Sequence, residues 1–266
     1  MKGRVLIIAG SDPSGGAGVQ ADIKTTTALG GYAATAITSI TVQNTLGVTA
    51  VHPVPPYVIR EQILAVLDDI GADAVKIGMI GEKDAALAIA DALRERADGV
   101  PVVLDPVLAA TTGGALAAPE MIPVLIERLL PLAALVTPNA DEAAALTGLE
   151  VVGEDDLAAA GRVLLSRGAR AALVKGGHLK GDTVTDVLLT EEGEKTFRNP
   201  RIETGEIHGG GCTLASAVAT GLAQGATLEA AIARAIAYVR EAIRAAPGFG
   251  GGAQPLGHAF SCRFGE

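Results

Sequence analysis

A cysteine closes a run of three glycines in His208-Gly-Gly-Gly-Cys212-Thr213, directly before a helix-like stretch of small residues. Such a run places consecutive free N–H groups and the positive end of a helix dipole at one point, an arrangement that holds an anion. Gly209, Gly210 and Gly211 are therefore the candidate anion cradle. A thiol at that terminus is expected to have a depressed pKa and to act as base or nucleophile. The same residues allow a plainer reading, in which the glycines permit close packing and Cys212 is an ordinary buried small residue.

Other polar residues stand where strands are expected to end. The segment from Gly10 through Asp12 to Asp22 follows an apolar run and opens a helix, with Gly16-x-Gly18-x-x-Ala21 at its centre. That is a loose dinucleotide fingerprint, but the acidic residue that would hold a ribose is missing from the expected end of the next strand, Ile37-Thr38-Ser39. Asn139 and Glu142 have the spacing of a capping box. Asp105 reads equally as a turn residue or an indirect magnesium ligand, and Lys175 as a snorkelling surface lysine or a phosphate contact. No Gly-x-x-x-x-Gly-Lys-Ser/Thr loop and no Gly-x-Ser-x-Gly elbow occurs, and the four histidines lack metal-ligand spacing.

The elements that must position these residues alternate. Apolar runs at Val5 to Ala9, Tyr32 to Thr38, Ala74 to Gly78, Val102 to Asp105, Leu132 to Val136 and Ala171 to Lys175 read as strands. Helical periodicity falls at Val19 to Leu29, Tyr57 to Ile70, Lys83 to Arg96, after Pro119, after Asn139, and near Asp155 to Ser166. Thr183 to Thr190 and Lys195 to Arg198 read as a hairpin, and two helices near Thr213 to Ala223 and Leu228 to Ala245 close the pattern. This predicts a single α/β domain over residues 1–266, with a mostly parallel central sheet and helices on both faces. Ligands of such sheets bind beyond the carboxyl ends of the strands, where Gly10, Gln43, Met79, Asp105, Asn139 and Lys175 stand.

Composition narrows the function. A net charge of −9 and only 3% aromatic residues oppose nucleic acid as a partner, so any phosphate must be held locally by N–H groups, a few lysines or a metal ion. Two distant cysteines, Cys212 and Cys262, fit a reducing cytoplasmic setting rather than a stapled secreted scaffold. The apolar run after Met-Lys-Gly-Arg is shorter than a signal-peptide core, and none is long enough to span a membrane.

The ordered blocks 9–22, Val-Gln-Asn-Thr (42–45), Lys-Ile-Gly-Met (76–79), Leu-Asp-Pro-Val (104–107), Thr-Pro-Asn (137–139), Val-Lys-Gly-Gly-His (174–178) and His-Gly-Gly-Gly-Cys-Thr (208–213) resemble the hydroxymethylpyrimidine/phosphomethylpyrimidine kinases of thiamine biosynthesis. The resemblance spans roughly residues 4–245. It implies a ribokinase-like three-layer fold, ATP and Mg2+ as cofactors, a homodimer, and phosphorylation of an aminopyrimidine alcohol and then of its monophosphate. Pyridoxal or pyridoxine kinase of the same fold is the alternative. By matching position, Gln43 would pair with the pyrimidine edge and Gly10, Asp22, Met79 and Val107 would line its pocket. A side-chain amide offers the adjacent donor and acceptor that an aminopyrimidine requires. Cys212 would occupy the place of the aspartate base of sugar kinases, Lys175 and Thr213 would face the nucleotide, and Asp105, Asn139 and Glu142 would hold magnesium. The run before Cys212 departs from the family pattern Asn-Thr-His-Gly-Thr-Gly-Cys: Glu206 stands for the asparagine, Ile207 for the first threonine and Gly210 for the second.

Overall fold

The computed structural model describes residues 2–109 and 120–260. Pro119, expected to open a helix, and Cys262 lie outside the described residues. Six strands run parallel: β1 (Arg4–Ser11), β2 (Tyr32–Asn44), β4 (Ala74–Ile77), β5 (Val102–Leu104), β6 (Ala133–Val136) and β7 (Ala171–Lys175). β3 (Gly47–Pro53) adds to one edge antiparallel, and the hairpin β8 (Thr183–Thr190) and β9 (Gly193–Pro200) extends the other. The order is β3-β2-β1-β4-β5-β6-β7-β8-β9.

Alternation along each parallel strand feeds two cores. Leu6 and Ile8 of β1, Val75 and Ile77 of β4, and Ala172 and Val174 of β7 join one apolar cluster. That cluster is covered by α2 (Pro56–Asp69), α3 (Lys83–Arg96), the short helical segment α4 (Met121–Val124), α5 (Ala140–Thr147) and α6 (Glu154–Ser166). Val5, Ile7, Val103 and Leu173 face the opposite cluster, beneath α1 (Gly18–Ala28), α7 (Gly210–Ala223) and α8 (Leu228–Arg244). Burial of each such Leu or Ile contributes about 1.5–3 kcal/mol, which makes the apolar runs obligatory interior strands.

Two differences from the sequence reading bear on the site. β2 does not end near Thr38 but continues to Asn44 and turns back through β3, a strand the reading did not anticipate. The turn is closed by Asn44 Oδ1 accepting from the Leu46 N–H at 2.8 Å. Pairing slips between Val42 and Gln43, and such a bulge re-aims the side chain beside it. The stretch after α8, which carried no reading beyond a glycine loop, forms β11 (Gln254–Pro255) parallel to β10 (Ile207–His208).

Candidate active site

From β1 the chain crosses to β2 on one side and later to β4 on the other, so a crevice opens at the carboxyl end of β1. There a cavity of about 810 Å³ gathers Gly10, Gln43, Met79, Val107, Asp105, Asn139, Glu142, Lys175, Gly209, Gly210, Gly211 and Cys212. Residues from Gly10 to Cys212 thus share one space. Two expected members are elsewhere. Asp22 is fully buried below the cavity, its carboxylate bound to Lys76 Nζ at 2.8 Å and to the Ser216 hydroxyl at 2.7 Å. Thr213 is also fully buried, its Oγ1 donating to the Gly209 carbonyl at 2.8 Å and lying 2.9 Å from His258 Nε2. Both point into packing because they follow the apolar face of their helices.

Gln43 reaches the cavity from the hairpin. Its amide lies 3.2 Å from His208 Nε2, and Thr41 Oγ1 contacts its Oε1 at 3.1 Å. His208 in turn lies 2.8 Å from Asp12 Oδ2. Burial pushes the Asp12 carboxyl up, but hydrogen bonds from His208, Ser14 and the Ala17 N–H outweigh it and leave the pKa below its ordinary value. Asp12 was expected at a strand end that outlines the site but without a role there, and His208 was not among the expected site residues, although both stand in the blocks that define the resemblance. A histidine and an aspartate beside two glycine loops were the available signal.

Gly209 takes φ +81° as the N-cap of α7, and a Cβ there would sit 1.9 Å from the Gly16 carbonyl oxygen. Only glycine fits. The two glycine loops therefore close on each other, and the first-turn N–H groups of Gly210, Gly211 and Cys212 have no partner within the helix. The cradle is suited to a phosphate. The expectation for the thiol is reversed: burial pushes Cys212 up to about 11. Lys76 and the Gly18 N–H pull it down, while Asp22 and Asp105 push it further up. The helix terminus does not overcome the loss of solvent and two nearby carboxylates.

Lys175 Nζ lies 3.1 Å from Asp105 Oδ1, which also accepts from the Thr137 hydroxyl at 3.1 Å. Burial lowers the Lys175 pKa less than Asp105 and Glu142 raise it, so the ammonium stays charged. Asn139 and Glu142 form the capping box: Asn139 N–H donates to Glu142 Oε2 at 2.8 Å, and Glu142 N–H to Asn139 Oδ1 at 2.9 Å. Burial nevertheless pushes the Glu142 carboxyl up to about 7, with Lys175 pulling it down and Asp105 pushing it up. Among the described residues no cluster of three or more His, Cys, Asp or Glu side chains forms a metal cage. Oxygen donors at Asp105 and Glu142 still suit magnesium, which keeps waters and takes one or two carboxylates beside substrate phosphates. Asn139 is the weakest of the three expected ligands, because its Oδ1 is engaged in the cap.

Known proteins share this architecture. A family model described as phosphomethylpyrimidine kinase matches residues 12–257. The hydroxymethylpyrimidine/phosphomethylpyrimidine kinase of Rhizobium meliloti is 50% identical over 91% of this chain and 90% of its own length. The crystal structure of phosphomethylpyrimidine kinase from Clostridium difficile is 40% identical, with a TM-score of 0.81 over 91% of this chain and 100% of that one. Bacillus subtilis pyridoxal kinase in complex with ADP superposes with a TM-score of 0.90 at 35% identity, over 97% of this chain and 98% of that one. The fold is ribokinase-like, and the chain belongs to the phosphomethylpyrimidine kinase family.

Proposed function

We propose that the protein transfers the γ-phosphoryl group of ATP to the hydroxymethyl oxygen of 4-amino-5-hydroxymethyl-2-methylpyrimidine, and then phosphorylates the monophosphate to the diphosphate. The observation that carries this reading is the shared cavity, in which an amide aimed by a bulge, a glycine-built helix N-terminus and a charged lysine face one another. The greater identity to pyrimidine kinases than to pyridoxal kinase, 50% and 40% against 35%, favours the pyrimidine as acceptor.

Gln43 pairs with the aminopyrimidine edge, while Gly10, Met79 and Val107 shape the pocket around its ring. In the first transfer the hydroxymethyl oxygen bonds to the γ-phosphorus, the bond to the β,γ-bridging oxygen breaks, and ADP leaves. The hydroxyl proton passes to Cys212 as its thiolate. N–H groups of Gly210 and Gly211, with Lys175, take up charge on the moving phosphoryl oxygens. Magnesium would be held by Asp105 and Glu142, in part through water, and would supply charge neutralisation for the nucleotide phosphates. In the second transfer the nucleophile is a phosphate oxygen that is already ionised, so the base matters less.

The hairpin favours a homodimer, because Ile40, Val42 and Leu46 project from it into solvent. No helix among the described residues is long and apolar enough to cross a membrane. We propose likewise that the chain forms one domain and works in the cytoplasm, as the repeated β-α alternation and the two widely spaced cysteines favour. Mass spectrometry of a timed reaction tests it: monophosphate should appear first and diphosphate after it, with one ADP formed per phosphoryl group. Nucleotide hydrolysis with no change in the mass of the pyrimidine would overturn the assignment.

A further inference from the structure

Lys76 occupies a place where a lysine is out of character. Lysine is almost never fully buried unless paired, yet Lys76 is 0% exposed in the middle of β4. Alternation sends Val75 and Ile77 to one face of the sheet and Lys76 to the other, under α1 and α7. There its Nζ meets Asp22 Oδ2 at 2.8 Å, and Asp22 Oδ1 accepts from the Ser216 hydroxyl at 2.7 Å. Ser216 stands one turn beyond Cys212, so the ion pair is fastened to the stripe of α7 that carries the thiol. Gly78 leaves the room it needs: a Cβ at that position would come within 2.5 Å of Lys76 Nζ.

Stability does not explain this arrangement, because apolar residues of the same volume often do as well as a buried ion pair. We propose that Lys76 is a positioning residue for the base: its ammonium, pinned by Asp22, supplies the positive charge beneath α7 that stabilises the Cys212 thiolate. The charged groups that act on the thiol are Lys76 from β4, Asp22 from α1, Asp105 after β5 and Lys175 at the end of β7, with the Gly18 N–H donating to the sulfur. Burial is the strongest influence and opposes ionisation; Lys76 comes next and favours it, ahead of the two aspartates that oppose it. The link to phosphoryl transfer rests on the function proposed above, whereas the coupling of Lys76 to Cys212 is a property of the protein alone.

The test is alkylation of Cys212 by iodoacetamide in the full-length protein, read by peptide mass spectrometry so that Cys262 is counted separately. Alkylation follows the thiolate fraction, so the rate at one pH reports the charge around the sulfur. Asp22→Asn leaves the ammonium without its counter-charge and should speed the reaction about threefold over the wild type. Lys76→Met combined with Asp22→Asn removes both charges, keeps a polar partner for Ser216, and should run about tenfold slower than Asp22→Asn alone. The alkaline limb of kcat for the alcohol acceptor should move in the same directions. Equal alkylation rates in the two variants would overturn the proposal. Should the single variant fail to give a cooperative melt, the double against the wild type decides, with slower alkylation expected and an unchanged or faster rate contradicting it; should the double fail, Lys76→Gln with Asp22→Asn takes its place. A wild type that alkylates in this way but transfers no phosphoryl group would overturn the proposed function and leave this inference intact.

Discussion

The Gly-Gly-Gly-Cys pattern puts the Cys212 thiol in the first turn of α7, but its acidity was not legible there. Position depends on four adjacent residues, whereas the pKa of about 11 depends on burial and on Asp22 and Asp105, which arrive from 190 and 107 residues away. A base that is protonated near neutrality has a signature: kcat for the alcohol acceptor should climb as pH rises into the alkaline range. Cys212→Ser should abolish that climb and lower the first transfer about a hundredfold or more, with little change in the acceptor KM. The second transfer, onto an ionised phosphate, should lose far less. Rapid-quench comparison of the two steps checks this, and equal losses would mean that Cys212 supports the cradle rather than accepting the proton. Cys212→Asp should keep measurable activity. For Gln43, replacement by Leu should weaken acceptor binding by about 1–3 kcal/mol, because ring donors and acceptors lose their partners. The acceptor KM should rise while that of ATP stays put; an unchanged acceptor KM would place the pyrimidine elsewhere.

At the scale of elements, most strands and helices of the alternating region were readable because apolar period and length agree in them. The hairpin was not read in full. Ile40 and Val42 alternate with Thr41, but here the apolar residues are exposed and the threonine is buried, the reverse of an ordinary one-faced strand. The pairing of β10 with β11 had no local signal, since each is two residues long and joined to the other only across α7 and α8. Gly209→Ala tests the closing of the two glycine loops. Its methyl group has no room beside the Gly16 carbonyl and φ is positive, so melting temperature and transfer rate should fall together. A variant of native stability and rate would show that the loops can part without consequence. Glu142 ties α5 to the cavity and carries a pH signature. Its folded pKa of about 7 lies above the ordinary value of 4.5, so the folded state binds the extra proton. The stability this adds is full below about 4.5 and is lost as pH rises through about 7. In Glu142→Gln, whose amide oxygen can still accept from Asn139, the melting temperature should decline less across that window, and the rate should depend less on magnesium. An identical decline in wild type and variant would remove Glu142 from the account.

For the molecule as a whole, the parallel core and the three-layer plan followed from the order of the elements, and the site followed from the rule that such sheets bind ligands at their carboxyl ends. What the sequence could not convey was which polar side chains turn away from that edge. Asp22 and Thr213 stand in site motifs, yet the helical phase of α1 and α7 directs them into the interior, where Lys76 and His258 meet them. The last described segment was equally silent. It returns across the site, with the Ala253 N–H donating to the Thr45 carbonyl at 2.9 Å and the Gln254 N–H to the Glu206 carbonyl at 2.8 Å. It thereby joins the hairpin that carries Gln43 to the loop that carries the anion cradle. The acceptor end and the phosphate end are held in one frame, which is what transfer between two bound substrates requires. The most direct test of that account is a kcat/KM comparison, under one ATP and magnesium condition, of 4-amino-5-hydroxymethyl-2-methylpyrimidine, its monophosphate and pyridoxal as acceptors. The account predicts transfer to both pyrimidines with a clear preference over pyridoxal; equal values for all three, or transfer to pyridoxal alone, would contradict it.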